Sequence, residues 1–158
     1  MVSKKTVQWM FAYLKRVHKT TRDVVRAFPD DKLDWKPQPA MRCPRELVEH
    51  IYAQSLARTK AVLRGSMTME EFLAENTAPK TGGAAELIAW ADAAYFQNQL
   101  LVEMVTEEQC AMIVRSFFGE FSGGAILRVT YNEWWHHRGQ LTVYLQMLQI
   151  PVPSIYEY

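Results

Sequence analysis

The chain has 158 residues, with 18 Lys and Arg against 17 Asp and Glu, a net charge of +1, and 49% hydrophobic residues. A balance this close to neutral excludes the clustered basic excess that binding to nucleic-acid phosphates requires. No run approaches the ~18 apolar residues of a membrane span, and the charged start "MVSKKTVQWMFAYLKRVHKT" argues against a signal peptide. Two cysteines, Cys43 and Cys110, form no CxxC pair, which suits a reduced compartment. A single cytoplasmic domain over 1–158 is therefore expected, with no nucleic-acid or membrane partner.

The spacing predicts a first helix over roughly 6–28, where Val7, Met10, Phe11, Leu14, Val17, Val24 and Phe28 recur at helical intervals. "FPDDKLDWKPQPAMRCP" breaks it with four prolines and reads as an extended connection. A second helix begins at Pro44, where a missing N–H costs nothing. Glu46 is placed for a capping box on Cys43, whose thiol at a helix N-terminus is expected to have a lowered pKa. Leu47, His50, Ile51, Gln54 and Ala57 share one face, and Gly65 is the expected stop.

Residues 65–83 contain "MTMEEFLAEN", one or two short turns, and end in the flexible "KTGGAA". This length suits a crossover rather than a tight hairpin. The third helix, 84–105, carries Leu87, Trp90, Ala91, Ala94, Tyr95, Asn98, Leu101 and Val105 as its stripe. "RSFFGEFSGGA" then reads as a strand-like or irregular stretch, and a fourth helix over 124–149 leads into the extended tail "IPVPSIYEY". The expected fold is all-α: a four-helix bundle with a long crossover between helices 2 and 3.

The fourth helix carries the chemistry. Glu133 and His137 stand four residues apart and so stack on one face, with Val129, Gln140, Leu141, Tyr144 and Leu148 on or near it. That face is expected to look inward, where a carboxylate beside an imidazole needs compensation. A divalent metal supplies it, and His50 on the apolar stripe of helix 2 offers a third ligand. Two histidines and one carboxylate leave open positions, as catalytic sites do, and suit Zn²⁺, Ni²⁺, Fe²⁺ or Mn²⁺. An E-x-x-x-H pair is equally compatible with a surface ion pair.

Around this set, His136 points about 100° away from His137 and is read as a bystander. Gln54 and Gln140 are read as groups that orient ligands or pack. Arg138 is expected to face solvent or cap a carboxylate, and Gly139 to allow close helix approach. Trp134 and Trp135 are read as core or interface fillers, and His18, among Lys15, Arg16 and Lys19, as solvated.

"LVEHIYAQ", the Trp-x-Pro of "DWKPQPA" and "HHRGQLTVYLQMLQIPVPSIY" resemble the DinB/YfiT family in order and spacing over nearly the whole chain. The resemblance implies a four-helix bundle with a metal triad, usually three histidines: one from the second helix and an H-x-x-x-H pair from the fourth. By position, His50 matches the first ligand and His137 the last, while Glu133 stands where most members have histidine. The substitution keeps a ligand but adds negative charge, which lowers the metal's Lewis acidity.

The resemblance further implies a metal-dependent transferase or isomerase that activates a low-molecular-weight thiol such as glutathione, bacillithiol or mycothiol toward an electrophilic substrate. It also implies a homodimer. A metal-dependent hydrolase, or a non-enzymatic stress-associated bundle that binds metal or a small ligand, are the competing readings.

Overall fold

The structure, a computed structural model, describes residues 2–156. Its elements are α1 (Lys4–Ala27), a 3-10 turn (Asp30–Lys32), α2 (Pro44–Arg64), β1 (Ser66–Met67), α3 (Met69–Leu73), α4 (Ala84–Met104), α5 (Glu107–Ala111), β2 (Ile113–Ser116), β3 (Gly119–Ser122) and α6 (Gly123–Met147). The fold is 67% helical, with six helices among the described residues and a small sheet.

Local chemistry sets the helix ends. Ser3 Oγ accepts the Thr6 N–H at the start of α1, and the Glu46 carboxylate accepts the Cys43 N–H (2.9 Å) at the start of α2. Gly65 ends α2 at φ +87°, a left-handed conformation that glycine adopts without a Cβ penalty. Thr106 and Gln109 build a capping box for the short α5.

The four long helices pack in a ring: α1 against α6 and α4, and α2 against α4 and α6. Arg45, at the start of α2, donates to the Pro79 and Gly82 carbonyls just ahead of α4. Asp30, just after α1, accepts from Ala84 N at 2.8 Å. Thus α2 and α4 start at the end where α1 finishes, and residues 65–83 carry the chain back along the ~30 Å length of α2. At the opposite end the Lys4 N–H donates to Glu107 Oε2 at 2.8 Å.

The sheet corrects the all-helical expectation. Its strand order is β1-β2-β3, with β1 parallel to β2 (Ser66↔Arg115) and β2 antiparallel to β3 (Val114↔Phe121). Within β2 the β-branched Val114 is fully buried between exposed neighbours, the alternation a half-buried strand requires.

The core centres on α1, α2 and α6, with Phe11, Leu14, Tyr52, Leu141 and Trp134 all sealed from solvent. Trp134 donates its indole N–H to Ser55 Oγ at 2.7 Å, so the ring is buried with its one polar atom satisfied.

Several expectations on single residues need correction. His18 is buried, not solvated: it stacks on Tyr95 (4.0 Å between centroids, 7°), contacts the Tyr52 hydroxyl at 2.9 Å and lies 3.1 Å from Asp92. Burial pulls its pKa down to about 4, against the opposing attraction of Asp92. Arg138 is buried too, donating to Thr20 Oγ1 (2.7 Å) and the Ile155 carbonyl (3.3 Å) with its guanidinium on the Trp135 face. It ties the C-terminal tail to α1. The Cys43 thiol is pushed up, not down, because burial outweighs the helix terminus. A Cβ on Gly139 would meet nothing within 4 Å, so no close helix approach occurs there, and Val129 is exposed rather than inward-facing.

Candidate metal centre

The groove between α2 and α6 brings three side chains together from distant parts of the chain. His50 faces α6, and Glu133 and His137 stand one turn apart facing α2. One donor atom from each lies within 4.8 Å of the others. His137 is buried, while His50 and Glu133 are half-buried.

His137 Nε2 lies 3.1 Å from Glu133 Oε2, and His50 Nε2 lies 4.0 Å from the same oxygen. The two imidazoles meet edge to face, with centroids 4.6 Å apart at 83°. On its far side His137 Nδ1 contacts Gln140 Oε1 at 2.6 Å. The amide oxygen only accepts, so Nδ1 carries a proton and Nε2 is the ring atom turned toward Glu133.

Nε2 meets the Glu133 carboxylate either through its own proton, as a hydrogen bond, or through a cation that takes the proton's place. Tetrahedral ligands at about 2.0–2.2 Å from a Zn²⁺-like ion stand roughly 3.3–3.6 Å apart, so the 3.1 Å between His137 and Glu133 has to open only slightly to admit one. The more distant His50 needs only a small side-chain adjustment.

His50 is prepared for the same role. Burial first, then the charges of Arg42, His137 and Arg58, pull its pKa down to about 3. The ring is therefore neutral at any physiological pH, and a metal displaces no proton from it. The Gln54 carboxamide nitrogen lies against the His50 ring, and Gln54 Oε1 is buried with no hydrogen-bond partner. That oxygen is an acceptor held ready beside the triad. The donor set therefore fits a divalent ion, and it is the one group of three or more His, Cys, Asp or Glu side chains with such geometry among the described residues.

His136 is exposed, with its ring 4.8 Å from that of His137 and outside the group. Beside His50 and Gln140 opens a cleft of about 660 Å³, lined by Lys36, Arg42, Glu46, Glu49, Phe72 and Tyr144 among others. Lys36 pairs with Glu46 at 3.0 Å and Lys80 with Glu49 at 2.7 Å, so both signs of charge are fixed around its rim.

Sequence reasoning alone misses Arg58. It continues the 50–54–58 progression by one more turn of α2, and Glu133 is the anion that acts on it most. The signal is present in the spacing, but an arginine on that stripe reads as surface until α6 is laid beside it.

A family model described as the DinB superfamily matches residues 13–141. Among solved structures, a DinB-like protein from Bacillus subtilis superposes with a TM-score of 0.74 at 19% identity, over 94% of this chain and 98% of its own. A member of the DinB family from Exiguobacterium sibiricum gives 0.69 at 21% identity, over 95% and 97%. A variant of a mycothiol-dependent maleylpyruvate isomerase gives 0.67 at 10% identity, over 89% of this chain and 63% of its own. No curated protein matches the chain by sequence.

Proposed function

The chain belongs to the DinB superfamily, and from that premise we propose that it is a divalent-metal protein that activates a low-molecular-weight thiol for transfer to an electrophile. The observation that carries this reading is the donor set, with His137 Nε2 and Glu133 Oε2 held 3.1 Å apart and His50 beside them. The isomerase among the structural neighbours is described as mycothiol-dependent, which supports a thiol as the co-substrate. In this reading one cytoplasmic domain spans 1–158, folded as a four-helix bundle with residues 65–83 as its crossover, and two copies form a dimer.

His50, Glu133 and His137 would hold Zn²⁺, Ni²⁺, Fe²⁺ or Mn²⁺. Bound there, such a cation supplies the Lewis acidity that favours the deprotonated form of a thiol beside it. The chain's own groups do the rest. Gln140 fixes the His137 tautomer, Glu133 offsets one unit of the positive charge, and Gln54 Oε1 accepts a hydrogen bond from an entering donor. The mixed-charge cleft, lined by Arg42 and Lys36 and by Glu46 and Glu49, orients a ligand that carries both signs. In the transfer, sulfur bonds to carbon, the carbon's leaving group departs with its electron pair, and the thiol proton passes to solvent.

The test is elemental analysis of protein purified without chelators or affinity-tag metals, with His50→Ala and Glu133→Ala in parallel. About one equivalent of metal in the parent, lost in both variants, is expected. A parent that takes up no Zn²⁺, Ni²⁺ or Mn²⁺ refutes the centre. Conjugation of glutathione, bacillithiol and mycothiol to monobromobimane, with release of bromide, then reads activity. A metal-loaded protein that accelerates none of them is a binding protein, not a transferase.

A further inference from the structure

A second cavity, about 350 Å³, lies further along the same α2/α6 groove and is lined by Arg58, Phe118, Phe121, Ile126, Arg128 and Val129 among others. Its volume is within the range of small-molecule sites. Three of its apolar walls are unusually open to solvent for their type: Phe118 at 43%, Phe121 at 45% and Val129 at 44%. The two rings stack on each other at 5.8 Å and 28°, and the β2–β3 hairpin holds them over the end of the groove.

The charges in this cavity are all of one sign. Arg58 makes no ion pair among the described residues, and its Nη1 is buried without a hydrogen-bond partner. Arg128, on the rim, has no ion pair among them either. Three other buried or half-buried cations are matched by carboxylates, Arg45 with Asp34 at 2.8 Å, Arg22 with Asp92 at 3.2 Å and Lys60 with Glu75 at 2.6 Å, and the buried Arg138 is held by Thr20 and the Ile155 carbonyl. A half-buried guanidinium without a counter-ion is costly, and a ligand carboxylate is the planar acceptor that matches its fork. Glu133 reaches Arg58 through space but is committed to the triad side of the groove.

We propose that this cavity binds a small carboxylate with an aromatic or branched apolar body, its anion between Arg58 and Arg128 and its body against Phe118, Phe121 and Val129. Such a ligand would lie on the Arg58 side of Glu133, with the mixed-charge cleft on the His50 side. The candidate triad then stands between two unlike compartments, one for a ligand of both charges and one for an apolar acid. The role of the acid as the electrophile rests on the transferase reading, but its binding does not.

The test is calorimetric titration of the purified protein with 1-naphthoate and with its neutral isostere 1-naphthamide. Naphthoate is expected to bind about ten-fold or more tighter, the preference a charge-assisted hydrogen bond supplies. Arg58→Met should abolish that preference, Arg58→Lys should retain part of it, and Phe121→Ala should weaken both ligands together. His50→Ala should lose metal and keep the preference, which separates this site from the triad. If Arg58→Met does not fold, Arg128→Met carries the charge test. Equal binding of the two ligands overturns the proposal. So does a preference that survives both arginine variants but disappears in Lys15→Gln, which lies in the separate cationic groove between α1 and α4.

Discussion

Lowering the pH should destabilise the protein, in part through His18, before it protonates most carboxylates. In the folded chain this imidazole is 5% exposed and its pKa is lowered to about 4, chiefly by burial, although Asp92 at 3.1 Å pulls the other way and Arg22 adds to the depression. In the unfolded chain it returns to the ordinary value of 6.5. Between these values the unfolded state binds more protons, so stability rises with pH and is lost as pH falls from 6.5 toward 4. Each tenfold difference in proton affinity between the two states is worth about 1.4 kcal/mol. At pH 4.5 the unfolded histidine is almost fully charged and the folded one about a quarter charged, a cost of about 2–3 kcal/mol.

Urea denaturation at pH 7.0 and pH 4.5 measures this, against His18→Gln, which is neutral at both. The parent midpoint should fall by about 1–2 M more than the variant's. Equal losses in the two proteins would refute the reasoning. So would an NMR titration that places the His18 pKa above 6.5, because the Asp92 ion pair would then outweigh burial.

Gln140→Leu removes the acceptor that fixes the His137 tautomer and should weaken metal binding about 10- to 100-fold, read by competition with a chromophoric chelator; unchanged affinity would remove Gln140 from the site. Arg138→Met cuts the bonds to Thr20 and Ile155 and should cost about 1.5–3 kcal/mol in chemical denaturation, with faster proteolytic trimming of the residues after Leu148. Gly65→Ala places a Cβ at φ +87° and 3.3 Å from Met112 Cε, and should lower stability by about 1–2 kcal/mol; a neutral or stabilising result would show that the α2 terminus relaxes.

What was legible in the sequence was whatever depends on neighbours within a helical turn. The four long helices, the Pro44 start and Gly65 stop of α2, and the pairing of Glu133 with His137 on one face are all questions of periodicity and capping. His50 could be added because its stripe was apolar enough to point inward. The parallel pairing of β1 with β2 was not legible, since Ser66 and Arg115 are joined only after α4 has crossed between them. His18 and Arg138 were misread for a related reason. Each sits among polar neighbours in sequence, but its partners come from other elements: Tyr52, Tyr95 and Asp92 for the first, Thr20 and Ile155 for the second. The Arg58 cavity likewise needs a hairpin, Phe118 and Phe121, that no local pattern aims at α2.

The bond from Arg138 to Thr20, 118 residues apart, bears on how the chain leaves the ribosome. The first helix emerges with its apolar face complete, but one of the two helices it packs against is made last. At about 5–20 residues per second, roughly 6–24 s pass before Arg138 is synthesised. Until then Val7, Phe11, Leu14 and Val17 lack part of their native cover and are a natural target for nascent-chain chaperones. Truncation within α6 should therefore yield an aggregating chain rather than a smaller folded one.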